Sequence, residues 1–338
     1  MRQTDAAATA AEIPGLVIRP YGGEADLPEV ARVQSAEWAA DGVSERASVD
    51  ELRAYWGNPS EQFDPARDVD IVEVDGRVVA ATQRDWVDAT DGVREYRARG
   101  WIDPEFRRRG LGTRLVARNE EIRRALAADH KTDRPLVLGM GAPETNLGAK
   151  ALANTFGYEP VRWWADMERS LVGELPEVPP MPDGLEVRPA MAEQGRQIWE
   201  ADQDAFRDHW GGWDPSEASF RRWIESPEFQ PELMVVAWDG DEIAAAVLNA
   251  IYPEENRELG ISRGWLDSVF TRRAWRRRGL ARALIVRSLH VLQGRGLETA
   301  VLGVDAENPS GVFGLYESAG FAPTERFVSF RKPLELDR

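Results

Sequence analysis

The chain of 338 residues contains no cysteine. That absence excludes disulfides, thiolate zinc sites and a cysteine nucleophile. Histidine is almost as scarce: only His130, His209 and His290 occur, so no metal site is assigned. Basic residues are outnumbered, with 42 Lys and Arg against 58 Asp and Glu and a formal charge of -16. Nucleic-acid binding draws its affinity from neutralising phosphates, so no nucleic-acid partner is expected; a small cationic or neutral one suits the charge better. Long apolar runs are missing too. None approaches the eighteen or more residues of a membrane span, and "MRQTDAAATAAEIPG" holds too short an apolar run for a secretory signal. A soluble cytoplasmic protein with no membrane partner is expected, opening on a disordered tail over residues 1–15.

What the chain does have is a repeat. "RRRGLGTRL" (Arg107–Leu115) returns as "RRRGLARAL" (Arg276–Leu284), and "LVIRP" (Leu16–Pro20) returns as "LEVRP" (Leu185–Pro189) at the same offset. Weaker echoes link "EVDGRVVAAT" with "AWDGDEIAAAV", Asn146 with Asn308, and Phe156–Tyr158 with Ala319–Phe321. The period is that of a whole domain rather than a solenoid unit. It divides the chain into residues 16–170 and 185–333, joined by a proline- and glycine-rich linker over 171–184.

Each copy reads alike. An opening strand leads to helices, then to a hairpin at Asp75-Gly76 or Asp239-Gly240, then to a strand ending at Ile102 or Thr271. The basic glycine motif follows, then a helix with apolar residues at helical spacing, a strand (Leu136–Met140 or Ala300–Val304), a short helix and a closing strand. This is an α/β unit of the mixed-sheet, α+β kind, given twice.

The motif sits where a strand gives way to a helix. Free backbone N–H groups and the positive end of the helix dipole suit an anion there, most often phosphate. Glycine and a second small residue let the backbone approach closely, and arginines add charge-assisted bonds. The residues expected to line the first loop are Arg107, Arg108, Arg109, Gly110, Leu111, Gly112 and Thr113. In the second they are Arg276, Arg277, Arg278, Gly279, Leu280, Ala281 and Arg282. Neither the Walker loop nor the dinucleotide fingerprint is present.

Strand, [QR]-x-x-G-x-[GA], then helix resembles the acetyl-CoA pyrophosphate loop of the GNAT acetyltransferase superfamily. Asn308, Tyr316 and Gly320-Phe321 in "NPSGVFGLYESAGF" strengthen the likeness, which covers nearly all of Leu16–Asp166 and Leu185–Lys332. Two such domains in one chain are similar to the mycothiol synthase group. The resemblance implies two tandem GNAT-like acyl-CoA N-acyltransferase domains that share an intramolecular interface. It implies acetyl-CoA (coenzyme A) as cofactor and transfer to the amine of a small-molecule acceptor.

It further implies that backbone amides near Ile102 and near Phe270–Thr271 polarise the thioester, and it places Asn146 and Asn308 with the cofactor. Tyr316, four residues before Gly320, takes the role of protonating the leaving thiolate. The first copy has Ala153 at that place, so the second is the one expected to be catalytic. Asp267 is the candidate base. His209, in "AFRDHWGGW" (Ala205–Trp213), lies where members of the family shape the acceptor pocket. A module that binds acetyl-CoA and regulates without transfer is the alternative.

Overall fold

The computed structural model describes residues 13–307 and 311–336. Asn308 and most of the expected tail lie outside the described residues. The first copy runs β1 (Leu16–Pro20), α1 (Leu27–Asp41), α2 (Val49–Trp56), α3 (Pro65–Asp68), β2 (Val69–Val74), β3 (Arg77–Asp88), β4 (Arg94–Ile102), α4 (Leu111–Asp129), β5 (Leu136–Pro143), α5 (Leu147–Thr155) and β6 (Glu159–Ser170). The second runs β7 (Glu186–Pro189), α6 (Gly195–Ala205), α7 (Glu217–Ile224), β8 (Val235–Asp239), β9 (Glu242–Ala250), α8 (Pro253–Leu259), β10 (Arg263–Thr271), α9 (Leu280–Gly294), β11 (Thr299–Asp305), α10 (Val312–Ser318) and β12 (Ala322–Pro333). Among the described residues no helix is long and apolar enough to cross a membrane.

Local chemistry explains the turns. Asp75 (φ 52°) and Gly76 (φ 80°) are both left-handed, as a two-residue hairpin of the primed type requires. In the second hairpin Asp239 pairs with Glu242, so the loop is Gly240-Asp241, one residue later than the sequence suggested. Gly240 (φ 59°) carries the positive φ there.

The chain folds into two compact units that are not contiguous in sequence. One takes the chain up to Arg162, Trp210–Ser219 and the stretch from Phe327 onward; the other takes Trp163–His209 and Phe220–Arg326. In the first unit, β1 to β5 lie in chain order and Phe327–Pro333 of β12 adds antiparallel to β5. In the second, β7 to β11 lie in chain order and Trp164–Ser170 of β6 adds antiparallel to β11. Each sheet is covered on both faces. Leu27, Val30 and Val33 of α1 pack on Ile71, Ala81 and Trp101, while Leu111 and Leu115 of α4 pack on Val72, Val79 and Ala80. In the second unit Leu280, Leu284 and Leu292 of α9 lie on one face, and Ile198, Ala201 and Ala205 of α6 on the other. Each buried leucine or isoleucine contributes about 2 kcal/mol of transfer free energy.

Two features of the sheets position the site. The parallel ladders are short: Arg94–Arg97 pairs with Leu136–Gly139, and Arg263–Trp265 with Thr299–Val301. Past these residues each central strand runs on beside a gap. Second, the β9–β10 register shifts between Leu266 and Ser268, making Asp267 the extra residue of a bulge. Strict alternation would put Leu266 and Val269 on opposite faces. The bulge instead brings both to the α9 side, while Ser268 and Phe270 meet α6. The β3–β4 ladder of the first copy runs unbroken from Ala80–Ile102 to Asp88–Arg94.

Candidate active site

The two motif loops have the same backbone. Arg108 and Arg277 are left-handed (φ 62° and 61°), as are Gly110 and Gly279 (φ 81° and 82°). A left-handed arginine costs about 1 kcal/mol, yet both copies keep it. Left-handed residues in a turn bring backbone N–H groups together in an anion-binding concavity. Gly110 and Gly279 are the N-caps of α4 and α9 and offer no side-chain cap, so the first helical N–H groups are left for another acceptor. A Cβ on Gly279 would meet nothing within 4 Å, so the space beside it is open. Gly112 differs. A Cβ there would stand 2.8 Å from Leu152 Cδ1, so close packing of α5 on α4 already accounts for its small size. Leu111 and Leu280 are core side chains and offer only backbone, while Thr113 and Ala281 are half-buried in the first turn.

The first arginine of each motif folds back onto its own copy. Arg276 donates from Nε to the Thr271 carbonyl (3.0 Å) and from Nη2 to the Ala205 carbonyl (2.8 Å). It thereby ties the loop to the end of α6. Arg278 reaches the Asp183 carbonyl (3.3 Å), and Arg109 stacks on Phe106 with its guanidinium 4.8 Å from the ring centre. Arg108, Arg277 and Arg282 are exposed beside the loops and make no ion pair among the described residues.

In the first copy, carboxylates occupy the neighbourhood. Arg107 grips Asp41 with both terminal nitrogens (2.6 and 2.7 Å) and reaches Glu37 Oε1 at 3.1 Å. Asn146 donates to Asp41 Oδ2 (2.7 Å), while its own Oδ1 caps α5 by accepting the Ala149 N–H (2.8 Å). Glu37 Oε2 accepts the Ile102 N–H at 3.3 Å. Burial pushes the Glu37 carboxyl up to about 7, opposed by Arg107 and helped by Asp41. Sequence reasoning passed over Glu37 and Asp41. Their spacing of one helical turn was a signal, but acidic residues so placed usually form a solvated face. Ala153 is fully buried and supplies no acid.

The second copy is different. Tyr316 is 5% exposed, packs among Leu266, Leu280 and Leu284, and meets Phe321 edge-on at 6.2 Å. Burial pushes its phenol above the ordinary value, so it stays protonated and able to donate. Asp267 stands exposed on the bulge and accepts the Tyr252 hydroxyl at 3.2 Å. Next to it, Ser268 Oγ donates to Asp202 Oδ1 at 2.5 Å. Burial pushes Asp202 up to about 6, with the Ser268 hydrogen bond opposing. Phe270 is core on the α6 side, and the Thr271 hydroxyl is buried without a hydrogen-bond partner among the described residues. His209 lies between the rings of Phe206 (5.3 Å) and Trp164 (5.7 Å), while Asp208 pairs with Arg273. Tyr316 thus belongs to the α9 face, and Ser268 to the α6 face, of one strand that borders a gap.

Known proteins share this architecture. The family profile described as "Acetyltransferase (GNAT) family" matches residues 196–321. A mycothiol acetyltransferase of Geodermatophilus obscurus is 30% identical, over 91% of this chain and 94% of its own length. The solved GCN5-related N-acetyltransferase from Sphaerobacter thermophilus aligns with a TM-score of 0.69 and 28% identity, covering 97% of this chain and 99% of that one. A tandem GNAT protein from the clavulanic acid biosynthesis pathway shares the fold at 17% identity, with a TM-score of 0.67 over 96% of this chain and 100% of its own.

Proposed function

The chain belongs to the GNAT acetyltransferase family and is an N-acetyltransferase, and from that premise we propose that it moves an acetyl group from acetyl-CoA to a primary amine of a small-molecule acceptor, with the second copy as the working site. In this reading residues 185–333 form the transferase copy, and residues 16–170, joined to it by 171–184, its non-catalytic counterpart. One observation carries the assignment: the second copy has Tyr316 where the first has Ala153, and among the described residues only the first has a carboxylate lying on the strand-end amide.

The residues present fit the donor. The open left-handed loop at Gly279 and the uncapped start of α9 suit a pyrophosphate. Arg277 and Arg282 border that loop as exposed cations. The gap past Trp265 leaves β10 backbone to hold the pantetheine arm and polarise the thioester carbonyl, and the unpartnered Thr271 hydroxyl lies at its end. The amine attacks the carbonyl carbon, a C–N bond forms, the C–S bond breaks, Tyr316 delivers its proton to sulfur, and the proton shed by the acylated nitrogen restores the phenol. The relative named above as a mycothiol acetyltransferase makes a mycothiol-precursor amine one acceptor to try. Release of free thiol from acetyl-CoA on adding primary amines tests the reading. Acetyl-CoA binding without thiol release for any amine would make the chain a cofactor-sensing module instead.

A further inference from the structure

Resting on that reading, we infer that Ser268 and Asp202 form a proton relay that neutralises the acceptor's ammonium group, with Ser268 touching the amine and Asp202 positioning it and holding its proton. The geometry comes from the bulge. By inserting Asp267, the strand sets Ser268 on the α6 face two residues before the Phe270–Thr271 end. There its hydroxyl already donates to Asp202 Oδ1 at 2.5 Å, so the proton path is formed before any acceptor arrives. The first copy lacks the device: its β3–β4 ladder has no bulge, and its acidic helix residues Glu37 and Asp41 are bound to Arg107.

Among the described residues no cation neutralises Asp202. The charged groups on the elements around it are directed elsewhere: Arg196 lies over Phe220, Asp204 pairs with Arg272, Arg263 with Glu255, and Asp267 takes the Tyr252 hydroxyl. Glu193, Glu200 and Glu242 are exposed, and Arg222 is buried in α7. Burial alone lifts the carboxyl to about 6, which leaves it ionised and basic at neutral pH. The balance is simple. An N–H bond of the ammonium breaks as Ser268 Oγ takes that proton, while the proton already on Oγ passes to Asp202 Oδ1. The neutral amine then attacks, and Asp202 releases its proton to solvent.

The test is the pH profile of kcat/KM for the full chain, using whichever of ethanolamine, glucosamine or lysine methyl ester the wild type acetylates fastest. Asp202→Asn keeps an acceptor for the Ser268 hydrogen bond but cannot take a proton. Its kcat/KM should fall about 100-fold at pH 6.5, and the deficit should shrink steadily as pH rises to 9.5 and a growing share of the amine becomes neutral. Ser268→Ala should follow the same pattern, Ser268→Thr should retain most activity, and acetyl-CoA affinity should stay within about twofold. A deficit that is constant across pH, or full activity in Asp202→Asn at pH 6.5, overturns the relay. Should the wild type release no thiol with any amine, the transfer reading itself fails, and that outcome is recognisable without any variant.

Discussion

Glu37 Oε2 accepts the backbone N–H of Ile102 at 3.3 Å, so a side chain of the first copy rests on the amide that a thioester carbonyl would need. With Arg107 and Asn146 also held by Asp41, this copy satisfies internally the groups a ligand would use. Calorimetric titration should therefore show one acetyl-CoA per chain. Gly279→Glu should abolish it, since a negative side chain would fill the phosphate position. Gly110→Glu should leave it intact. Two equal sites in the wild type would refute the closed first copy.

The same carboxyl gives a pH signature. Glu37 rises from an ordinary 4.5 to about 7 in the folded protein. The folded state then holds the proton more tightly than the unfolded chain, so this group's contribution to stability is lost as pH rises from about 4.5 through about 7. Glu37→Gln removes that slope. Urea unfolding at pH 5 and pH 8 should show the wild type losing on the order of 3 kcal/mol more than the variant across this interval, an upper figure.

Tyr316→Phe keeps the ring in its packing and removes only the proton. Turnover should fall about 100-fold, with acetyl-CoA affinity within about twofold and an unchanged melting temperature. Equal turnover would remove Tyr316 from the reaction.

Two glycines with positive φ should respond unequally to alanine. At Gly279 (φ 82°) the space is open, and only backbone strain of about 1 kcal/mol applies. At Gly320 (φ 91°) the new Cβ would collide with the Arg169 guanidinium, which donates to the Ala319 carbonyl. Losing that bond should bring the cost to about 2 kcal/mol. Urea midpoints of the two variants decide it, and equal losses would contradict the packing argument.

The loops were legible because left-handed turns select glycine, and the helices because their apolar residues recur at helical spacing. Leu111, Leu115, Leu280 and Leu284 needed nothing more than that spacing. The bulge at Asp267 was not legible, since a bulge is defined by the partner strand and leaves no mark in single-strand alternation. Asp202 was hidden for the same reason: its importance comes from Ser268, 66 positions away. Glu37 and Asp41 were hidden likewise, since the Arg107 that holds them stands 70 and 66 positions further along the chain. The Asp-Gly rule found both hairpins but misplaced the second loop by a residue, because glycine can serve either turn position.

The antiparallel pairing of Phe327–Pro333 with Val137–Pro143 carries a consequence for synthesis. At roughly 5–20 residues per second, the ribosome emits the later segment about 10–40 seconds after the earlier one. Through that interval the β5 edge stands unpaired in the nascent chain, exposed to strands from neighbouring polypeptides. Truncation just before Phe327 should make that state permanent, so a premature stop codon near the end of the message would yield aggregated rather than merely shortened protein.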